Sequence, residues 1–359
     1  MSGFIIDADI SKAKTISTEF YVNPQYFEQA KEKIFSRTWQ FIGSNDLLQQ
    51  NNCYPYVLLQ NYLDEPLVIT RDKENSFHCL SNVCTHRGNL LIYESCQASH
   101  IRCKYHGRLF QLDGHMTSMP EFKEVKDFPS TSDDLPQLPL FQWGKWLFTG
   151  LNPTIEANIV FNEMMQRISW MPFNEFVFRP DLSKDYFVNA HWALYCENYL
   201  EGFHIPFVHS GLNAVIDYGE YTTELFRYSS LQLGIARDGD DCFNLPATSI
   251  DYGKNIAAYY FWVFPNMMFN FYPWGLSVNI VQPIAIDKTK VSFLTYIWRE
   301  EKYNRGAGSD LDKVEMEDEE VVQNVQKGIR SRFYDHGRYS VTREQGTHHF
   351  HRLIAEFMN

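Results

Sequence analysis

Two short segments in the first third of the sequence each place a cysteine and a histidine close together. The first is Cys84-Thr85-His86 and the second is Cys103-Lys104-Tyr105-His106, with sixteen residues between them (87–102). Thiolate sulfur and imidazole nitrogen are both strong metal ligands. Four such side chains at this spacing require the chain to fold two neighbouring loops around a common metal centre.

The way in which the ligand types are shared between the segments distinguishes the possible centres. Zinc sites of this size usually take two cysteines from one C-x-x-C turn, whereas each segment here supplies one Cys and one His. In a Rieske [2Fe–2S] cluster two cysteines bind one iron and two histidines bind the other, so each loop reaches both irons. Gly88 and Gly107 closely follow the ligands and permit tight loops. The pattern therefore favours a Rieske cluster over a zinc site or a coincidental arrangement.

The composition is that of a folded chain without a nucleic-acid surface. Hydrophobic residues make up 44% of the 359 residues, which is enough for a large core and is typical of roughly two domains. The formal net charge of −12 argues against nucleic-acid binding, because such a surface needs a basic patch. The seven cysteines form no regular framework, so we expect a reducing compartment and a cytoplasmic location.

One uncharged stretch, residues 255–286, has to be distinguished from a membrane span. Pro265, Asn266 and Asn270 interrupt its core. A spanning helix of about 20 apolar residues does not accommodate such breaks. We therefore predict two aromatic strands joined by a Pro-Asn turn, no membrane contact, and no signal peptide in the polar N-terminus.

The order of the predicted elements indicates an α+β chain. Short apolar runs alternate with turn residues before Asn152-Pro153, which is typical of a mainly β domain. Later, long strands are predicted at 220–300 with helices before and after them. The predicted parts are residues 1–39 as an N-terminal helical segment packing on the C-terminal domain, 40–155 as the β domain with the two Cys/His loops, and 156–359 as the C-terminal domain.

Three helices have clear sequence signals. Asn23-Pro24 is a typical helix start with Asn as N-cap, and this helix is predicted to run to about Trp39. A second helix is predicted at about 191–202. A third, charged and amphipathic, is predicted at 310–332 and contains the acidic run of residues 317–320.

A second set of metal-ligand residues follows the helix at 191–202. His204 and His209 lie about 140° apart on a straight helix, but Pro206 distorts the helix and can bring both imidazoles onto one ion. Two histidines and one carboxylate form the facial triad of non-haem Fe(II) sites, which leaves positions open for O₂. On spacing alone, two ordinary polar histidines near a helix end explain His204 and His209 equally well. On chemistry alone the carboxylate is either Glu201 or Asp318, although a solvated helix face is the better explanation of the acidic run.

The segment from Cys84 to Gly107 resembles the Rieske motif of ring-hydroxylating oxygenase alpha subunits, which are Rieske non-haem iron oxygenases, and the likeness covers about residues 20–359. It implies one [2Fe–2S] cluster per chain, held by Cys84, His86, Cys103 and His106 in an N-terminal all-β Rieske domain. It also implies a C-terminal catalytic domain of the helix-grip type, an antiparallel sheet with helices. The family usually has Pro and Trp where this chain has Lys104 and Arg108, which implies a difference in cluster packing and in reductase docking.

The same resemblance assigns the second site. The family motif of an Asn, an acid and two histidines matches Asn198, Glu201, His204 and His209 position for position. In the family the acid is no ligand but bridges an iron-binding His to a cluster His of the neighbouring subunit, so Glu201 and Asn198 are implied to be catalytic. The third ligand of the single mononuclear Fe(2+) is implied to be Asp318, in a helix that continues to V-Q-x-G.

The resemblance also implies the partners and the reaction. Because no glycine-rich nucleotide fingerprint is present, we expect a separate NAD(P)H-dependent reductase, with or without a ferredoxin, besides O₂ and a small-molecule substrate. The family implies a homotrimer with head-to-tail pairing of Rieske and catalytic domains. Most of the family has Asp at the position of Glu201. In having Glu there, the chain resembles the branch that is similar to choline and carnitine monooxygenases.

This branch favours hydroxylation or N-demethylation of a quaternary ammonium compound. The alternatives are an aromatic-ring hydroxylating dioxygenase and, in another class, a non-catalytic Rieske electron carrier or sensor. An ammonium cage and an arene pocket are both lined by aromatic side chains, as is an ordinary core. The candidates for this lining are Tyr195, Tyr199, Phe203, Trp262, Phe264, Phe269, Phe271, Tyr272 and Trp274.

Overall fold

The structure is a computed structural model that describes residues 3–359. It divides them into two compact units, one of residues 36–154 and one that combines residues 3–35 with 155–359. The first unit is built mainly from strands, and the second from one large antiparallel sheet with helices. The predicted α+β class, with an N-terminal β domain and a helix-and-sheet catalytic domain, is confirmed.

The N-terminal segment contains two short helices, α1 (Glu19–Val22) and α2 (Pro24–Lys33). The side chain of Asn23 accepts a hydrogen bond from the backbone N–H of Gln25 at 3.0 Å, so it caps α2 as its sequence predicts. The predicted end at about Trp39 is wrong, because α2 stops at Lys33. Beyond it the chain makes a short 3₁₀ turn at Phe35–Arg37 and then enters a strand, whose backbone hydrogen bonds replace those of a helix.

The unit of residues 36–154 consists of short antiparallel strands. Its sheets have the orders β1-β10-β9, β2-β3-β4-β8 and β5-β6-β7. The apolar core lies beneath the two Cys/His loops and includes Val68, Leu80 and Phe110. The strands are β1 (Gln40–Ser44), β2 (Cys53–Leu58), β3 (Glu65–Arg71), β4 (Phe77–Ser81), β5 (Ile101–Arg102), β6 (Leu109–Phe110), β7 (Met116–Ser118), β8 (Gln137–Leu138), β9 (Leu140–Trp143) and β10 (Trp146–Thr149).

The second unit is organised around an antiparallel sheet with the order β11-β18-β17-β16-β15-β14-β13, in which β12 also pairs with β18. Its strands are β11 (Val177–Phe178), β12 (Lys184–Val188), β13 (Thr222–Leu225), β14 (Ser229–Ile235), β15 (Ile256–Val263), β16 (Met267–Tyr272), β17 (Gly275–Ala285) and β18 (Lys288–Ile297). Its helices are α3 (Ala157–Arg167), α4 (Trp192–Tyr199), α5 (Ile205–Val208), α6 (Ser210–Val215), α7 (Leu311–Gly328) and α8 (Gln345–Met358).

The uncharged stretch forms three strands, β15, β16 and β17, rather than the two predicted. The predicted Pro-Asn turn is present and joins β15 to β16 at Phe264-Pro265-Asn266. None of the helices in residues 3–359 has the length and apolar character that crossing a membrane requires. The polar residues that interrupt this stretch are buried: the Asn266 side chain donates to the carbonyl of Val281 at 2.9 Å. They therefore belong to the interior of the sheet.

Helix α4 is held in place by its neighbours. It packs against α7, α8 and β17. The Tyr21 hydroxyl of the N-terminal segment donates to Glu197 of α4 at 2.7 Å. At the end of α4, the backbone of α8 approaches so closely at Gly346 that a Cβ there would clash with the carbonyl oxygen of Leu200. Only glycine permits this approach.

We predict that Gly346→Ala lowers the free energy of unfolding by about 1–3 kcal/mol, because α8 has to move away from Leu200. Thermal and urea unfolding of the whole chain measure the change. Gly328→Ala is the matched control, because no atom lies within 4 Å of its added Cβ. Equal stability of the two variants would contradict the close approach.

Candidate metal centres and substrate cavity

The two Cys/His loops have the same backbone design. The N–H of each cysteine, Cys84 and Cys103, donates to the carbonyl five residues later at 2.8 Å. The carbonyl of each cysteine accepts from the glycine four residues later, Gly88 or Gly107, at 3.0 Å. Both glycines have positive φ, +70° and +76°, which an L side chain rarely adopts. The matched turns direct two sets of Cys and His side chains to one place.

The four side chains fit a two-iron cluster. Cys84 and Cys103 are each 2% exposed, and the rings of His86 and His106 have centroids 4.8 Å apart. The Nδ1 atom of His106 is buried and has no hydrogen-bond partner among the described residues. A buried, unpaired ring nitrogen beside two buried thiols is costly unless it binds a metal. The donor set of two sulfurs and two imidazoles is that of a Rieske centre.

The two residues that depart from the family pattern have different positions in this loop. Arg108 is buried and forms an ion pair with Asp133 at 2.5 Å. The backbone carbonyl of Asp133 also accepts from the Thr85 hydroxyl at 2.7 Å, so this residue holds both loops. Lys104 is exposed and lies 5.0 Å from the centre of the Tyr93 ring. Arg108 therefore affects cluster packing, whereas Lys104 belongs to the surface.

The second set of ligands follows the end of α4. This helix ends at Tyr199, three residues before the predicted 202, because the next residues form a turn around a carboxylate. Glu201 accepts hydrogen bonds from the backbone N–H of Phe203 and, at 3.1 Å, of His204. Short helix α5 then begins, with Pro206 in its first turn, and His209 follows its end. The break places both imidazoles on the same side.

The structure brings His204 and His209 together with Asp318 of α7. Their ligand atoms all lie within 4.8 Å of one another. The two Nε2 atoms are 3.1 Å apart, and Asp318 Oδ1 lies 3.0 Å from His209 Nε2 and 3.6 Å from His204 Nε2. Neighbouring ligands on octahedral bonds of about 2.1 Å are roughly 3 Å apart. The three side chains therefore fit one face of an ion, and Glu201 is not among them.

A carboxylate contacts the Nδ1 atom of each histidine, while the Nε2 atom faces the other ligands. Glu201 Oε1 lies 2.7 Å from His204 Nδ1, and Glu317 Oε2 lies 2.8 Å from His209 Nδ1. The amide of Asn198 donates to Asp318 Oδ1 at 2.6 Å, which ties α4 to α7. Burial opposes a charge on His209, yet Asp318 and Glu317 raise its pKa above the ordinary value. The site is thus strongly negative and suits a cation.

Glu317 is the site residue that sequence reasoning missed. It was predicted only as part of an acidic run on a helix, and only Glu320 of that run is exposed. The sequence signal that could have identified Glu317 is its position directly before the ligand Asp318. A neighbour of Asp318 on α7 lies about 100° around the helix, which is far enough to reach behind the ring of His209.

A cavity lies between these ligands and the inner face of the sheet. One row of its wall crosses β14 to β17, in which Gln232 pairs with Tyr260, Tyr260 with Asn270, and Asn270 with Ser277. The Gln232 amide donates to the carbonyl of Tyr199 at 2.6 Å, while its Oε1 atom has no partner among the described residues. The wall therefore contains buried polar groups.

Tyrosine rings form much of the remaining wall. Tyr195, Tyr199 and Tyr272 of the nine aromatic candidates line the cavity, and the other six do not. Tyr221 and Tyr260 also line it and were not predicted, because their facing depends on strand register. Burial raises the pKa of Tyr260 and Tyr272 above the ordinary value, so both hydroxyls stay neutral and the rings keep their full π character.

A second carboxylate of α7 also reaches the cavity. Glu315 is 2% exposed and lies three residues before Asp318. The Tyr195 hydroxyl donates to its Oε2 atom, but its Oε1 atom has no partner among the described residues. Burial raises the pKa of Glu315 to about 8, since desolvation disfavours the charged form.

Comparison with protein families agrees with both sets of metal ligands, the two Cys/His loops and the triad of the C-terminal domain. Residues 38–129 match the family described as Rieske [2Fe-2S] domain. Residues 177–359 match the family described as ring hydroxylating alpha subunit (catalytic domain), which is more than half of the chain. The cofactors expected from the sequence, a [2Fe–2S] cluster and a mononuclear iron, are those of these two domains.

Among curated proteins, the chain is 26% identical to choline monooxygenase of Arabidopsis thaliana, covering 96% of this chain and 83% of that protein. It is 25% identical to the carnitine monooxygenase oxygenase subunit of Escherichia coli K12, covering 97% and 95%. Both relatives are matched over nearly the whole of this chain. The likeness therefore includes the Rieske and the catalytic parts together.

Solved structures have the same fold. The quaternary ammonium Rieske monooxygenase CntA, in complex with L-carnitine, superimposes with a TM-score of 0.78 at 23% identity and covers 98% of this chain and 97% of its own. Naphthalene 1,2-dioxygenase from Rhodococcus sp. gives a TM-score of 0.73 at 14% identity, with 96% and 94% covered. The chain belongs to the ring-hydroxylating alpha-subunit family, in which a Rieske [2Fe–2S] domain precedes an oxygenase catalytic domain.

Proposed function

We propose that this chain is the oxygenase component of a monooxygenase for quaternary ammonium compounds. Cys84, His86, Cys103 and His106 hold the [2Fe–2S] cluster, and His204, His209 and Asp318 hold the mononuclear iron. The observation that carries the proposal is the intact triad beside a cavity with tyrosine walls and a few buried polar groups. A simple electron carrier or sensor needs neither a second iron site nor a substrate cavity.

When bound, the cluster supplies single electrons and the iron supplies a site for O₂. The chain's own residues orient the ligands. Glu201 and Glu317 each accept the Nδ1 proton of a histidine, which leaves the Nε2 lone pairs facing inward. Asn198 fixes the rotamer of Asp318. The tyrosine walls exclude water around the substrate.

The cavity favours an ammonium compound over an arene. Gln232 Oε1 and Glu315 Oε1 are buried without a partner among the described residues, and an apolar ring would leave both unpaired. Each such group costs about 1–3 kcal/mol. An ammonium group is attracted by the carboxylate and by tyrosine faces. The names of the relatives, choline and carnitine monooxygenases, support the same substrate class.

Glu201 has a further part in the proposal. Its Oε1 atom holds His204, and in the resemblance the same acid also contacts His106 of the partner subunit. This requires the head-to-tail homotrimer expected from the family, with electrons delivered by a separate NAD(P)H-dependent reductase. Inter-subunit electron transfer in the structurally similar monooxygenase CntA supports this arrangement.

We predict turnover of methylated ammonium compounds and none of naphthalene. The loaded protein, O₂ and a generic Rieske reductase would be incubated with each compound, and products identified by mass together with formaldehyde release. Iron analysis of the same sample should give three irons per chain. A dihydrodiol from naphthalene would support the aromatic-ring alternative, and two irons per chain would support the carrier.

We predict that Glu201→Gln keeps both metals but lowers turnover roughly 10–100-fold, since the amide cannot hold His204 in the same protonation state. Iron content and the rate of cluster re-oxidation under O₂ and substrate should be measured together. Normal re-oxidation at full iron loading would rule out the bridging role.

We predict that Glu317→Gln weakens Fe(II) binding about 10–100-fold, because His209 loses the carboxylate that orients its ring. Competition with a chelator measures this affinity, and the visible spectrum of the cluster serves as an internal reference. Glu320→Gln is the matched control, since Glu320 lies on the exposed side of the same helix. Equal iron affinity in both variants would contradict the role of Glu317.

A further inference from the structure

The ionisable groups that face the cavity are carboxyls, neutral tyrosines and the metal-binding histidines. Glu201, Glu315 and Asp318 line it. Among residues 3–359, no lysine or arginine contributes to its wall. Apart from an ion held by the triad, a carboxylate on a substrate would therefore meet no cationic partner in this wall, which contains three acids. Buried charges of one sign without compensation are strongly unfavourable.

The unpaired polar atoms of the wall also discriminate between substrates. Gln232 Oε1 and Glu315 Oε1 are both hydrogen-bond acceptors, and both residues are at least 98% buried. The orientation of the Gln232 amide is determined by the carbonyl of Tyr199, to which its NH₂ group donates. A substrate carboxylate is an acceptor only, so it can satisfy neither Gln232 Oε1 nor the ionised form of Glu315. A hydroxyl can donate to either atom, whereas a quaternary ammonium group has no N–H and pairs with ionised Glu315 by charge alone.

The position of Glu315 relates substrate charge to the iron site. Glu315 and Asp318 are three residues apart on α7, about 4.5 Å along the helix axis. A cation beside Glu315 would therefore lie within one helical turn of the metal ligand Asp318. The Tyr195 hydroxyl donates to the other carboxylate oxygen and keeps the side chain in place. Burial raises the pKa of Glu315 to about 8, so the carboxyl is mostly neutral at pH 7 until a cation beside it lowers that pKa.

We propose that the site selects quaternary ammonium compounds that carry no carboxylate, with Glu315 as the counter-ion and Gln232 as the acceptor for a hydroxyl on the neutral tail. This rests on the function proposed above and narrows it. Choline fits these requirements, and L-carnitine and γ-butyrobetaine do not, because each adds a carboxylate that the wall cannot pair.

The first test compares substrates on the loaded trimeric enzyme with reductase and O₂. We expect kcat/KM for choline to exceed that for L-carnitine and γ-butyrobetaine at least about tenfold, the scale of an unpaired buried charge. A preference for the carboxylate-bearing compounds would overturn this inference while leaving the proposed function intact. Failure of every methylated ammonium compound would overturn the proposed function itself.

The second test isolates the charge of Glu315. We expect Glu315→Gln to weaken choline binding about 10–100-fold while binding of 3,3-dimethyl-1-butanol, its uncharged isostere, changes less than about twofold. Calorimetry on the loaded protein measures both ligands, and iron content and thermal unfolding monitor the fold. Glu315→Asp, which keeps the charge, should restore part of the choline affinity. Equal weakening of both ligands, or no rescue by Asp in a folded, iron-loaded protein, would show that Glu315 is only structural.

Discussion

The packing of α4 against α7 is the contact on which the catalytic site depends. The first helix leads into the turn that presents His204 and His209, and the second carries Asp318. The hydrogen bond from Asn198 to Asp318 joins them across a sequence separation of 120 residues. Because a packed helix interface moves only at considerable cost, it holds the three ligands at a fixed spacing. Carboxylates behind each histidine then determine which ring nitrogen is free for a metal.

The parts of this site that the sequence predicts are those in which chemistry and spacing are local. The two Cys/His loops are complete within short segments, and Pro206 signals the break that brings His204 and His209 together. Asp318 was not determined by chemistry, because Glu201 is an equally good oxygen ligand. The turn after α4 decides between them, since Glu201 uses its carboxylate on the backbone N–H groups and on His204 Nδ1. Only the resemblance to the family had indicated this outcome.

The cavity was much less predictable, because its walls come from several strands. In this sheet β15 and β16 are buried at every position, so they have no alternation that marks an inner side. Tyr260 lines the cavity and Tyr259 does not, and this depends on pairing with β14 and β16. Asn270 was the one sequence signal: a polar residue in an apolar strand. It argued correctly against a membrane span, but its position in the sequence alone could not show which face of the sheet its side chain occupies. The predicted helix end at about Trp39 was wrong for a related reason, since β10, the partner of strand β1 in that segment, is far along the chain.

The negative charge around the catalytic site links the metal ligands to the substrate cavity. Four carboxylates, Glu201, Glu315, Glu317 and Asp318, are gathered near two histidines in a largely buried region. A divalent ion balances two of them, so negative charge remains and favours a second cation. The coupling between this cation and Glu315 is reciprocal: a bound ammonium favours ionised Glu315, and ionised Glu315 strengthens ammonium binding. Because Glu315 lies one helical turn from Asp318, the carboxylate that selects the substrate by charge also holds it close to the metal ligands. Selection and positioning are therefore two effects of one buried side chain.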